Sequence, residues 1–120
     1  MSVEPMTSKV AVESFLQDFK YKLGFWGLFL RTERGKNFET IKELEYSVED
    51  VKKELRDLAV ANYSGGPLSD VLYKGADMWV FGKMVQSREV YIKIALGQPS
   101  SKVICISFHF AEYAMIYPYK

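Results

Sequence analysis

The stretch from Met78 to His109, MWVFGKMVQSREVYIKIALGQPSSKVICISFH, constrains the fold of this chain more than any other part. It reads as three consecutive strands: β-branched and aromatic runs separated by turn-forming residues. Side chains alternate faces along a strand, so each run divides by parity. In the middle run Val90, Ile92 and Ile94 share one face, and Glu89, Tyr91 and Lys93 share the other. In the last run Ile104, Ile106 and Phe108 form the apolar face, with Cys105, Ser107 and His109 opposite. Matching apolar faces sets register. Ile92 beside Ile106 puts Tyr91 beside Ser107, Lys93 beside Cys105 and Glu89 beside His109. Met84 beside Val90 puts Lys83 beside Tyr91. One face is then core, and the other gathers Lys83, Glu89, Tyr91, Lys93, Ser107 and His109.

The preceding chain supplies helices to cover the apolar face. Residues 1–8 read as a loose tail before a single domain over residues 9–120. Val12, Phe15, Leu16, Phe19 and Leu23 fall at helical spacing, and Gly24 reads as the stop. Gly27 to Arg31 is an apolar run too short for a helix and reads as a strand. Asn37 is positioned to cap a short helix over Phe38 to Leu44, with Ile41 and Leu44 inward. Ser47-Val48-Glu49-Asp50 is a capping-box variant that opens a helix to about Ala61. Tyr63-Ser64-Gly65-Gly66-Pro67 predicts a loop that continues through Asp70 to Lys74-Gly75. The segment Phe110 to Lys120 is a candidate edge strand. The fold class expected is α+β: an antiparallel β-meander with N-terminal helices packed on one face.

Composition removes several function classes. Sixteen basic and fifteen acidic side chains leave a net charge of +1, so there is no global basic field and any anion site is local. One cysteine, Cys105, allows no disulfide within the chain, and it reads as a core residue rather than a nucleophile. One histidine makes His-rich metal ligation an unsuitable reading, and neither a metal nor a cofactor is expected. No apolar run is long enough to span a bilayer, and the N-terminal residues lack a signal-peptide pattern, so a cytoplasmic location with no membrane partner is expected.

Tyrosine, lysine and histidine on one sheet face form a set suited to acid–base work on a phosphodiester. Lysine stabilises phosphate charge in the transition state. Histidine transfers protons near neutral pH. Tyrosine donates a hydrogen bond or, with its pKa lowered by neighbouring lysines, accepts a proton. RNA brings its own nucleophile, the 2′-hydroxyl. An exposed Tyr63 would stack on an unpaired base. A polar face of this kind is also what any half-solvated antiparallel sheet presents.

The segments VYIKI and VICISFH, with FLQDFKYKLGFWGLFLRTERGKN, YSGGPLSDVLY and the tail FAEYAMIYPY, resemble the MqsR-type toxins of bacterial toxin–antitoxin pairs, in the RelE/ParE-like group. The similarity runs from about Phe15 to the end and is strongest at Tyr91-Ile92-Lys93-Ile94 and Ile106-Ser107-Phe108. It implies a compact RelE-like α+β ribonuclease that cuts mRNA without metal and is neutralised by an antitoxin, a helix-turn-helix DNA-binding protein. Carried onto this chain, the family's catalytic tyrosine is Tyr91 and its helix lysine is Lys53. A lysine after the Ser-Phe pair is replaced by His109, and Ser69, beside Asp70, stands where the family has a glutamine.

Two readings follow. In the first the protein is an endoribonuclease toxin. Tyr91 and His109 move protons, Lys53 and Lys93 stabilise the phosphate, and Lys83, Tyr63, Asp70 and Ser107 contact the substrate. In the second the same face is a non-catalytic docking surface for protein or nucleic acid, anchored by Tyr113, Tyr117 and Tyr119.

Overall fold

The computed structural model describes residues 7–33, 35–69 and 76–120. Among the described residues three α-helices and five strands follow in the order α1 (Lys9–Trp26), β1 (Leu28–Leu30), α2 (Gly35–Leu44), α3 (Val48–Arg56), β2 (Tyr63–Leu68), β3 (Met78–Val85), β4 (Arg88–Ala95) and β5 (Val103–Phe110). The fold is α+β, but the sheet is mixed rather than an antiparallel meander. Its order is β1-β5-β4-β3-β2, and β1 runs parallel to β5.

The apolar stripe of α1 buries Val12, Phe15, Leu16, Phe19 and Leu23 against the sheet. Ser8 caps the helix through the Ala11 amide. Gly24 does not end it. The helix continues to Trp26 and stops at Gly27, whose φ of 93° is open to glycine at little cost. Lys22 pins the β4–β5 connection by donating to the carbonyls of Leu96 and Gln98. The α3 capping box is present, with Ser47 and Asp50 bonding reciprocally. This helix ends at Arg56 rather than Ala61, and a single 3₁₀ turn over Val60–Asn62 leads into β2. Val51, Leu55 and Leu58 complete the core with Val90, Ile92 and Ile94.

Several other expectations are corrected. Tyr63 to Pro67 is not a loop. It forms most of β2, an edge strand paired only with β3 and broken by two register shifts, which is where a sheet tolerates a glycine pair and a proline. Asn37 is not a cap but a fully buried residue inside α2. Residues 111–120 form no strand. They cross the open face of the sheet. Of the expected N-terminal tail, Thr7 and Ser8 are bonded: Thr7 donates to the Gly66 carbonyl at 2.9 Å and accepts from the Tyr119 hydroxyl.

The β4–β5 register differs from the apolar-matching solution. Ile92 lies opposite Phe108, not Ile106, so Tyr91 faces His109 and Lys93 faces Ser107. The ladder then shifts, with Ile94 opposite Cys105, which leaves Ile106 as the extra residue of a bulge. The bulge reverses parity along β5. Val103 and Cys105, both fully buried, join the core in place of Ile104 and Ile106. The other edge of β5 is completed by α2. Asn37 donates to the carbonyls of Arg31 (2.7 Å) and Ile106 (2.9 Å) and accepts from the Phe108 amide (3.0 Å). Thr40 accepts from the Phe110 amide at 3.1 Å. Side chains of a helix thus take the bonds that β1, only three residues long, is too short to make.

Candidate functional site

Tyr91, Lys93, Ser107 and His109 line one cleft of ≈ 700 Å³ on the face turned away from α1 and α3. Gly35, Lys36 and Asn37 of α2 form one wall, and residues 111–115 form the other. β4 and β5 position the four floor residues by alternation, and their pairing brings Tyr91 and His109 into cross-strand contact. The two rings stack with centroids 5.2 Å apart and planes 15° from parallel. Lys93 Nζ lies 6.0 Å from the Tyr91 ring centroid. Ser107 is buried, and its carbonyl accepts from the Cys105 thiol at 3.4 Å.

The bonding of His109 identifies its tautomer. Nδ1 lies 3.0 Å from the Phe110 carbonyl, which only accepts, so Nδ1 carries the proton and Nε2 is the basic nitrogen of the neutral ring. Tyr91 behaves oppositely to the lysine-activated base considered from sequence. Burial pushes its phenol up, so it is protonated at neutral pH and acts as a donor. Stacked side by side, the two residues present one proton acceptor and one proton donor.

The remaining expected site residues are not brought here. Lys83 lies opposite Val90, not Tyr91, and so points to the helix side of the sheet. There its Nζ meets Glu54 Oε1 at 2.7 Å with both side chains largely covered. Apolar matching of Met84 to Val90 failed because the β3–β4 turn pairs Val85 with Arg88 and Met84 with Glu89. Lys53 stands on α3 next to Glu54, on the same helix side, and the sheet separates it from Tyr91. Tyr63 is 4% exposed, packed edge-on to Trp79 and Phe81 and stacked on Tyr119, so it has no face to offer a base. Asp70 lies outside the described residues. Cys105 is a core residue, and burial pushes its thiol up to about 12, so a thiolate nucleophile is not available. Among the described residues no three of His, Cys, Asp and Glu come together in a way that could hold a metal ion.

The far wall owes its position to Glu89, which the parity reading assigned to the polar surface. Glu89 accepts from the Met115 amide (3.1 Å) and the Tyr117 hydroxyl (2.7 Å), strapping the C-terminal segment across the sheet. Ser64 adds a bond to the Ile116 carbonyl at 2.7 Å. The strap lies so close to β3 that a Cβ on Gly82 would come 2.5 Å from the Tyr117 hydroxyl and 2.6 Å from Met115 Sδ. Tyr117 and Tyr119 are therefore internal anchors, and only Tyr113 of the three tail tyrosines is exposed, at 85%. Lys36 and Glu112 line the cleft without having been expected there, whereas Tyr113 was expected as an anchor on this face. A glycine in the middle of a strand, opposite Tyr91, was the one local signal that another segment crosses there.

No helix among the described residues is long and apolar enough to cross a membrane. No family model matches the chain, and neither the curated proteins nor the solved structures compared with it yield a match.

Proposed function

We propose that the cleft is the active site of a metal-independent endoribonuclease, acting as the toxin of a toxin–antitoxin pair on mRNA in the cytoplasm. The observation that carries the reading is the stacked Tyr91–His109 pair beside Lys93 in a cleft open to solvent. His109 Nε2 takes the proton of a 2′-hydroxyl, whose oxygen attacks the adjacent phosphorus. Lys93 stabilises the charge that develops on the non-bridging oxygens. The Tyr91 hydroxyl gives its proton to the departing 5′-oxygen, and the proton taken up by His109 then restores the phenol. The P–O5′ bond breaks, leaving a 2′,3′-cyclic phosphate and a 5′-hydroxyl end. The resemblance to MqsR-type toxins supports the same reading, and with it a RelE-like relationship and a helix-turn-helix antitoxin as protein partner. Lys53 and Lys83 have no part in this chemistry.

Purified protein incubated with mRNA and EDTA should yield cyclic-phosphate ends, and Tyr91→Phe combined with His109→Ala should abolish them. No cleavage of any RNA, free or ribosome-bound, would sink the reading. The other reading is a non-catalytic docking site for protein or nucleic acid. It gains from the near-neutral net charge of +1, which predicts weak intrinsic RNA affinity, and from the exposure of Tyr113 and Ile116 beside the cleft. Growth arrest on expression separates the two, since only the toxin should halt growth.

A further inference from the structure

The two walls of the cleft touch at one ion pair. Lys36, in the first turn of α2, and Glu112, in the C-terminal segment, meet at 2.6 Å between Nζ and Oε1. Both residues line the same cleft as Tyr91, Lys93 and His109. We propose that Lys36 is a phosphate-binding residue for single-stranded nucleic acid, and that Glu112 is a built-in counter-anion occupying the place of a substrate phosphate until one displaces it. This rests on the ribonuclease reading of the cleft.

Three observations support the assignment. First, Glu112 is the one carboxylate among the described residues that line the cleft, against two lysines, Lys36 and Lys93. Second, the Glu112 carboxylate answers to a cation of the site. The hydrogen bond and charge of Lys36 hold it below the usual carboxylate range. It therefore sits in the field that an incoming phosphodiester would feel. Third, the pair is weak enough to yield. Its side chains are 62% and 58% exposed, and exposed ion pairs contribute little. A phosphate offers Lys36 the same charge-assisted bond without the carboxylate, and the positive end of the α2 dipole lies on the same wall. Lys93 lies over the Tyr91 ring and forms no ion pair among the described residues, whereas Lys36 is held by Glu112.

The test separates binding from cleavage. A fluorescent single-stranded oligodeoxynucleotide lacks the 2′-hydroxyl and reports binding alone, and a matching RNA reports single-turnover cleavage. Glu112→Gln should bind the oligodeoxynucleotide about three- to fivefold more tightly at low salt. Lys36→Gln should weaken binding and lower the salt slope by about one. In the double variant the gain from Glu112→Gln should vanish. Because both side chains are largely exposed, the thermal midpoints should stay at the wild-type value, and this is checked alongside. Unchanged binding by Glu112→Gln, a gain that survives without Lys36, or no binding by any of the proteins would overturn the assignment. If these binding shifts appear while no RNA is cut, Lys36 and Glu112 stand as assigned and the ribonuclease reading fails. If RNA is cut and the shifts are missing, only the present assignment fails.

Discussion

The rings of Tyr91 and His109 lie 5.2 Å apart and within 15° of parallel because β4 and β5 pair them directly across the ladder. The contact joins a phenol that burial keeps protonated to an imidazole whose Nδ1 proton is committed to the Phe110 carbonyl. Tyr91→Phe keeps the stack and removes only the hydroxyl. It should lower the single-turnover cleavage rate about 10²-fold, with substrate affinity nearly unchanged. Since burial holds the Tyr91 phenol above its ordinary value, its ionisation should not limit the rate below the ordinary tyrosine range. An alkaline loss of rate below about pH 9 that disappears in Tyr91→Phe would contradict the donor role.

Lys83 should matter for stability and not for chemistry. Lys83→Met should leave the cleavage rate of folded protein intact while lowering the unfolding free energy by about 1–3 kcal/mol in urea titrations, because Glu54 then lies largely covered without its cation. A large loss of rate with unchanged stability would restore Lys83 to the site.

The same network predicts how stability varies with pH. Burial alone would raise the Glu54 carboxyl, but bonds from Lys83 and from Tyr46 (2.5 Å) bring it below its ordinary value. Its contribution is therefore present above the unfolded carboxyl value and lost as pH falls through the folded one. Tyr46 is pushed up to about 12 by burial and by Glu54, so its contribution is full below the ordinary tyrosine value and lost as pH rises through about 12. Glu54→Gln should flatten the acid limb, measured as a smaller change in urea midpoint between roughly pH 6 and pH 4 than wild type shows.

Asn37 holds the bulge of β5 through three hydrogen bonds made by a fully buried side chain. Asn37→Ala should cost about 3 kcal/mol by removing these three hydrogen bonds of a fully buried side chain. Asn37→Asp should fare no better, because a carboxylate accepts from Phe108 but cannot donate to Arg31 and Ile106. Equal stability of the Asp variant and wild type at neutral pH would show that the two donated bonds carry nothing.

Gly82 gives the C-terminal strap its seat. Gly82→Val should push Met115 and Tyr117 off β3 and break the bonds to Glu89. Amides of residues 113–120 should then exchange with solvent faster, while those of β4 keep their protection. Unchanged exchange in the tail would mean that the strap is held by other contacts.

Local physics was legible along the chain. The spacing of Val12, Phe15, Leu16, Phe19 and Leu23 requires a helix with one buried stripe, and Ser47 and Asp50 carry the start of α3 in four residues. The alternation in β4 divides Tyr91 and Lys93 from Val90, Ile92 and Ile94, and that division is visible without any partner strand. Such features depend on neighbours a few residues away, so sequence alone determined them. What it could not decide was pairing. Ile106 and Phe108 are equally suitable neighbours for Ile92, and apolar matching has no means of choosing between them. The choice was made by Asn37, which reaches from α2 across 69 residues of chain to the Ile106 carbonyl and stabilises a bulge there. That bulge turns Cys105 inward, and the register it accompanies sets His109 against Tyr91. In the same way, one step in the β3–β4 register sent Lys83 to Glu54 and brought Gly82, with the strap above it, to Tyr91. A period of two makes every face assignment hang on register, and register is a property of the folded whole.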